Sequence, residues 1–306
     1  MRALVTTADK SVEFADVDPP VPGANQALVA VRATSLNRGD LHSLANSAPG
    51  RIVGLDLVGT VAEAAADGSG PGVGERVMGF TLGGAWAELA AVGTSTLSAI
   101  PDGLSDAQGA PLPNCGLTAM CALSLAPRLL GARVLVTGAT GGVGGYAVQL
   151  ARIGGASVTG VVTSPQRAAE LAGFDWLEVV VGDVAEGPFD LVVDGVAGAS
   201  LRHALEVVGP DGVVVTLGQA EAEPATIPNW WFARHMGARL VSLYNMHELS
   251  RSGRGLRDLA FLAELVVAGR LDSGVSAEVS WTDANAQIDA LRRREITGKV
   301  VMHFTD

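Results

Sequence analysis

Cysteine, aromatic side chains and positive charge are all scarce in this chain of 306 residues. The 2 cysteines, Cys115 and Cys121, share one apolar run, which excludes a disulfide framework and a Cys-x-x-Cys zinc knuckle and suits a reducing cytosol. Aromatics make up 5% of the residues and apolar residues 48%, so the core has to be built from Ala, Val and Leu. That is the palette of a parallel α/β sheet covered by small-faced helices. Lys and Arg number 21 against 32 Asp and Glu, a formal net charge of −11 with no basic block. Phosphate-backbone electrostatics then oppose nucleic acid, and an anionic membrane is an equally poor partner. The longest apolar run, near Cys115 to Ala126, is too short for a bilayer, and Met1 to Lys10 holds no long apolar stretch. The expectation is a soluble, cytoplasmic, unprocessed chain. A Gly-x-Ser-x-Gly elbow, a Walker lysine and a His-Glu-x-x-His helix are also missing, so hydrolase, ATPase and zinc protease readings lack their reactive centres.

At roughly 150 residues per domain, the length suggests two domains. Up to about residue 110 the chain runs in short alternating stretches, such as Gln26 to Arg32, Val58 to Ala64 and Ala85 to Val92, punctuated by Gly, Pro and Asp. This predicts an antiparallel, barrel-like region. From Arg133 the pattern becomes β-branched runs alternating with helical stretches: Arg133 to Thr137, Gly144 to Arg152, Ser157 to Val162, then Gln166 to Ala172. Phe189 to Val193, Gly212 to Leu217 and Arg239 to Leu243 add strands, with a helix at Leu201 to Val208, and Glu178 to Val181 completes six strands of a doubly wound sheet. After Gly255 come a helix over Leu256 to Ala268, a strand at Ala277 to Trp281, a helix at Asp283 to Arg293 and a strand at Lys299 to His303. Pattern alone leaves open whether this tail extends the α/β sheet or completes the barrel.

The stretch Val134-Leu-Val-Thr-Gly-Ala-Thr-Gly-Gly-Val-Gly-Gly-Tyr-Ala-Val-Gln149 is a buried strand running into glycines that open a helix. Gly138, Gly141, Gly142 and Gly144 let the backbone turn and approach a pyrophosphate, which the helix amides and dipole would meet; Thr140 and Val143 complete that loop. In NAD-specific folds an acidic residue about 20 positions on grips the ribose 2′-hydroxyl. Here the second strand ends in Thr163-Ser164-Pro-Gln-Arg167, and no Asp or Glu lies between Gly138 and Glu170. Ser164 and Arg167 suit a 2′-phosphate, so the loop points to NADPH. The spacing also satisfies the short-chain dehydrogenase fingerprint. Against that family stand the loop's position after 130 residues and the absence of Lys four residues beyond either Tyr146 or Tyr244.

Ser35-Leu-Asn-Arg-Gly-Asp40, Gly54-Leu-Asp-Leu-Val-Gly-Thr-Val61, Val73-Gly-Glu-Arg-Val-Met-Gly79, Gly84-Ala-Trp-Ala-Glu88, Ile100-Pro-Asp-Gly-Leu-Ser105, Gly116-Leu-Thr-Ala119, the glycine loop and Gly298-Lys-Val-Val301 follow one another in an informative order. Together they resemble the medium-chain dehydrogenase/reductases, specifically the zinc-independent quinone oxidoreductase branch that includes zeta-crystallin. The resemblance implies a GroES-like, partly open β-barrel domain from residues 1–117 and 249–306, and a Rossmann NADP-binding domain from residues 118–248. It implies an active site in the cleft between them, a cofactor surface that includes Thr118, Val196, Leu217 and Gly218, and a homodimer or tetramer joined through the strand near Arg239 to Leu243. The activity implied is hydride transfer from NADPH to a quinone or α,β-unsaturated carbonyl. An enoyl or ketone reductase tailoring a biosynthetic intermediate, and a non-catalytic NADPH-binding protein of the crystallin kind, remain open beside it.

In the zinc-dependent branch Cys, His and Cys hold the metal. The resemblance puts Asn37 and Leu55 at the first two positions and Cys115 near the third, and one thiolate is not a site. Without a Lewis acid, hydride transfer to a conjugated acceptor is the easier chemistry, its charge delocalising onto an oxygen that amides can stabilise. Asn37 is expected either to donate to that oxygen or to the nicotinamide ribose, or to fix its own loop. Asp40 is expected to orient that loop or to cap a helix beginning near Leu41. His42 stands where many relatives carry Tyr and can deliver the proton, the alternative being a surface or structural histidine. The segment between Asp40 and Gly54 is short for the family, which implies a more open substrate mouth. Trp230 and Trp231, with Phe232, are expected either to wall an aromatic acceptor or to pack in a core or dimer contact.

Overall fold

The computed structural model describes residues 1–182, 186–218, 224–227, 229–244 and 253–304; the Phe232 side chain and the expected domain boundary at residue 248 lie outside the described residues. Two compact units emerge, one from residues 1–117 and 253–306, the other from residues 118–252.

The first unit opens with β1 (Arg2–Thr6) and β2 (Val12–Asp16), an antiparallel pair. It continues through β3 (Gln26–Ser35), helix α1 (Arg38–Asn46), β4 (Asp56–Glu63), β5 (Arg76–Phe80), β6 (Leu89–Gly93), β7 (Leu97–Ala99) and the single turn α2 (Asp106–Gly109). The alternation in β3, with Ala27, Val29, Val31 and Ala33 buried, gives it one core-facing side, as an antiparallel sheet requires. The chain after α1 is fastened to β1: the Thr6 hydroxyl donates to Ala48 O at 2.6 Å, and Gly50 N donates to Thr6 O at 2.7 Å.

The second unit holds α3 (Leu117–Leu123), β8 (Arg133–Thr137), α4 (Gly142–Ile153), β9 (Ser157–Val162), α5 (Pro165–Ala169), β10 (Glu178–Val181), β11 (Phe189–Asp194), α6 (Gly198–Val207), β12 (Val208–Thr216), α7 (Trp231–Arg234) and β13 (Arg239–Ser242). Its six strands are parallel in the order β10-β9-β8-β11-β12-β13. Counted from the first strand of the unit this is 3-2-1-4-5-6, so the direction of winding reverses between β8 and β11. Helices cover the sheet, which is why Val134–Val136 and Val213–Val215 are continuous apolar runs, each residue fully buried.

The tail settles the question that pattern left open. α8 (Gly255–Val267), β14 (Val275–Ser280), α9 (Ala284–Arg292) and β15 (Lys299–His303) return to the first unit, where β15 pairs antiparallel with β3 and parallel with β14 in the order β14-β15-β3-β4-β5-β7. Two features fasten them. The Asn285 amide imitates a strand partner to Val12, accepting from its N–H at 3.0 Å and donating to its carbonyl at 2.8 Å. Trp281, fully buried, packs its ring against Phe304 and edge-on against Phe14, with centroids 4.5 and 4.8 Å away.

Of the two alternatives expected for Trp231, the structure shows core packing. Trp231 does not wall a substrate: it is buried in the core with Leu205, Val208 and Val214, and its indole N–H donates to Leu205 O at 2.6 Å. The short helix turns adjacent residues to opposite sides, so Trp230 is 43% exposed while its neighbour is 6% exposed. Trp231→Ala should therefore cost about 3–5 kcal/mol, the range for an aromatic removed from a packed core. A urea melt followed by circular dichroism measures it, and a loss below about 1 kcal/mol would contradict the packing role.

Candidate functional site

The polar chemistry of the second unit gathers at the carboxyl ends of β8, β11 and β12, beside the winding reversal where open parallel sheets bind ligands. Gly138 leaves β8 with φ of 62°, and the chain reaches α4 through Thr140 and Gly141, whose N–H donates back to Gly138 O at 2.8 Å. A Cβ on Gly144 would stand 2.2 Å from Gly138 O, so the first turn of α4 closes on the loop only because that position has no side chain. Gly218 meets the same constraint after β12: a Cβ there would lie 2.0 Å from Gly195 O. Val196 lies against Gly138, its Cγ2 3.4 Å from where a Cβ would be, and Leu217 N donates to Asp194 O at 3.0 Å. Gly138, Val196, Leu217 and Gly218 are thus brought together on one edge. Gly141 is exposed beside them, Gly142 and Val143 are half-buried, and the amides of a helix's first turn have no acceptor within the helix. A surface of main chain without Cβ atoms at a helix N-terminus fits a pyrophosphate.

Sequence reading missed the residue that ties this edge together. Asp194, fully buried at the end of β11, accepts from the Thr137 and Ser200 hydroxyls at 2.7 Å each and from Ala197 N at 2.9 Å. Its one signal is an acid closing the apolar run Leu191-Val-Val193.

Thr163, exposed, and Ser164 follow β9 on the next strand outward. The Ser164 hydroxyl caps α5, accepting from Arg167 N at 3.3 Å, which leaves its own hydrogen to donate. The Arg167 guanidinium, 19% exposed, reaches Glu170 at 3.5 Å, a pair of little strength so near the surface. Thr118 is buried on the first turn of α3.

In the first unit, the segment Ser35-Leu-Asn-Arg-Gly-Asp40 closes on a buried charge cluster. Asn37 is 4% exposed and fully engaged: its amide donates to Ser35 O at 3.1 Å and Asp56 Oδ2 at 2.8 Å. Its Oδ1 accepts from Lys299 Nζ at 2.5 Å and from the Cys115 thiol at 3.3 Å. Lys299 also donates to Leu36 O at 2.6 Å, and the Ser35 hydroxyl donates to Asp56. Of the two roles expected for Asn37, the structural one is favoured, because its N–H groups are committed to Ser35 O and, on β4, Asp56 Oδ2. Asp40 has its capping part too, but the helix begins at Arg38 rather than near Leu41, and Asp40 at the third helical position accepts from Asn37 N at 2.8 Å. His42 is not brought into the cluster; it is exposed on α1, its ring 3.3 Å from the Asn46 amide.

With Asp40, Asp56 and Lys299 all charged, the cluster would carry a net negative charge out of water, and one oxygen of each carboxylate has no hydrogen-bond partner. A proton relieves this. Burial, joined by the Asp56 charge, pushes Asp40 up to about 7, and burial pushes Asp56 up to about 6 against the pull of Lys299, Ser35 and Asn37. Burial also raises the Cys115 thiol, which leaves it a protonated donor.

Residues 23–102 match the alcohol dehydrogenase GroES-like domain and residues 170–302 the domain described as zinc-binding dehydrogenase. The quinone oxidoreductase of Coxiella burnetii is 25% identical and superposes with a TM-score of 0.84 over 100% of this chain and 99% of that one. The acryloyl-coenzyme A reductase of Metallosphaera sedula is 25% identical over 341 residues, 99% of each protein. The phthioceranic/hydroxyphthioceranic acid synthase of Mycobacterium tuberculosis is 28% identical over 325 residues and 99% of this chain, which spans 15% of that protein's length. A two-domain reductase scaffold is thereby defined. The chain belongs to the medium-chain dehydrogenase/reductase superfamily, in its zinc-independent quinone oxidoreductase-like branch.

The charge cluster makes a signed prediction. A folded-state pKa raised from 3.8 to about 7 means that the native protein holds the Asp40 proton more tightly than the unfolded chain does. The stability this contributes is whole below about pH 4 and is lost as the pH rises through about 7. Asp40→Asn should flatten that fall relative to the wild type in melts across this window; parallel curves would contradict it. Lys299→Met, which leaves buried carboxylate unpaired, should destabilise by about 3–5 kcal/mol at pH 8.

Proposed function

We propose that the chain is an NADPH-dependent, zinc-independent reductase that delivers hydride to a quinone or an α,β-unsaturated carbonyl. The observation that carries the cofactor choice is the rim at residues 163–167, where β9 ends in hydroxyls and a guanidinium with no carboxylate before Glu170. Ser164 and Arg167 would hold the 2′-phosphate there, Arg167 exchanging a weak contact with Glu170 for a charge-assisted one. The Gly138–Gly144 backbone would hold the pyrophosphate, and Thr118, Val196, Leu217 and Gly218 would line the rest of the dinucleotide. Once bound, the nicotinamide supplies the hydride. What the protein adds is placement and the exclusion of a competing carboxylate from the phosphate rim.

Zinc has no suitable donor set in the first unit. Leu55 offers no ligand atom, the Cys115 thiol is a protonated donor, and the Lys299 ammonium already lies against Asn37 Oδ1. Among the described residues no group of three or more His, Cys, Asp and Glu side chains could hold a metal. With the Asn37 N–H groups engaged by Ser35 and Asp56, backbone amides are left to stabilise the negative oxygen of the acceptor, and the exposed His42 or solvent to supply the proton.

A second acceptor class is favoured by the kinship with acryloyl-coenzyme A reductase and with the acid synthase: the enoyl thioesters. They share the conjugated carbonyl that makes hydride addition feasible without a metal. Consumption of NADPH against a panel of quinones, enones and enoyl-coenzyme A esters separates the two, and failure with every member would return the protein to a binding role. We further propose a homodimer joined through β13, an edge strand of the described sheet whose Leu240 is 40% exposed.

Arg167→Glu should raise the Kd for NADPH by about tenfold or more while changing NADH little, since it removes a charge-assisted bond and adds repulsion. Equal loss for both dinucleotides would overturn the phosphate role. Metal analysis of the purified protein should find no stoichiometric zinc, and one zinc per chain would overturn the metal-free reading.

A further inference from the structure

We propose that Asp194 is a positioning residue for the dinucleotide, holding the Gly195–Gly198 turn in place against the phosphate loop before the cofactor arrives. The inference rests on the dinucleotide reading above and names the residue that sets the surface. Three donors from three places converge on this carboxylate: the Thr137 hydroxyl from the end of β8, Ala197 N from the turn, and the Ser200 hydroxyl from the first turn of α6. Thr137 in turn accepts from Gly195 N at 3.2 Å, so the start of the turn is tied to the strand that feeds the phosphate loop.

The turn needs such an anchor. Ala197 sits at φ 70° and ψ −163°, a backbone region that glycine occupies freely and residues with a Cβ occupy at a cost. The bond from Ala197 N to Asp194 Oδ2 closes over that strained residue. The strain has a visible product, since the turn seats Val196 against Gly138 on one side and Gly195 O against Gly218 on the other. Loosening it would let the turn relax away from both neighbours.

Chemistry also separates a carboxylate from its amide here. All three partners are donors, and a carboxylate is acceptor-only, so Asp194→Asn keeps the shape but turns an N–H toward at least one donor. Direct contact with the cofactor is disfavoured, because a buried negative charge would repel a pyrophosphate. The effect therefore passes through the turn, and it should weaken NADPH and NADH alike, unlike a change at Arg167.

The test is to titrate the wild type, Asp194→Asn and Ser200→Ala with each dinucleotide by its fluorescence, to melt each protein, and to measure turnover of an accepted substrate. Asp194→Asn should raise both Kd values by about tenfold or more, with the KM for NADPH rising more than kcat falls. Ser200→Ala leaves the carboxylate two of these donors and should raise both Kd values several-fold; it carries the test if Asp194→Asn does not fold. Wild-type affinity for both dinucleotides in the folded variants overturns the proposal, and so does a smaller active fraction at unchanged KM, the mark of a purely structural role. If the wild type itself binds neither dinucleotide, the cofactor reading fails and this inference with it, an outcome distinct from loss confined to the variants.

Discussion

The second unit depends on one steric constraint: at the strand ends, main chain must touch main chain. Gly144 against Gly138 and Gly218 against Gly195 are contacts that no side chain survives, at 2.2 and 2.0 Å from a hypothetical Cβ. Because they flank the reversal of winding between β8 and β11, they leave amide-rich backbone where the sheet opens. Asp194 is the polar counterpart of this constraint. It satisfies donors from the end of β8, from its own following turn and from the start of α6 with a single side chain.

In the first unit the corresponding constraint is electrostatic. The turn from Leu36 to Asp40 is held by an ammonium that crosses from the last strand of the chain, so the loop cannot be described apart from the tail that returns to it. A lysine with two carboxylates in a dry interior is not a neutral arrangement, and the retained proton resolves it. The Lys299 ammonium meets the Asn37 amide oxygen and the Leu36 carbonyl, so the cluster's cation is a side chain.

Much of this was legible from the residues in order. The β-branched runs of β8, β9, β11 and β12 announce strands buried on both faces, and the glycines after Thr137 announce the loop. What escaped has physical reasons. The tail's helices and strands are clear, but a strand's partner is not written in its own pattern: the resemblance alone assigns the tail to the first unit, and the pairing of Val301 with Ser35 is seen only in the fold. Lys299 carries no visible signal of its role, because its partner Asn37 is 262 positions away. Trp230 and Trp231 look alike as a dipeptide, and only the phase of a single helical turn sends one to the core. Asn37 is polar at a position where polarity suggests substrate, yet its hydrogen bonds go to Ser35, Asp56, Lys299 and Cys115. Asp194 resembles any acid at a strand end until its three donors are seen.

The central claim is that the joined ends of β8, β11 and β12 form the dinucleotide surface. Hydrogen–deuterium exchange of the purified protein with and without NADPH tests it most directly, since amides that meet a bound phosphate or are covered by a nucleotide exchange more slowly. The account predicts added protection in the three segments 138–144, 195–198 and 217–218, together with the rim at 163–167. Protection confined to other segments, or none at saturating NADPH, would contradict it.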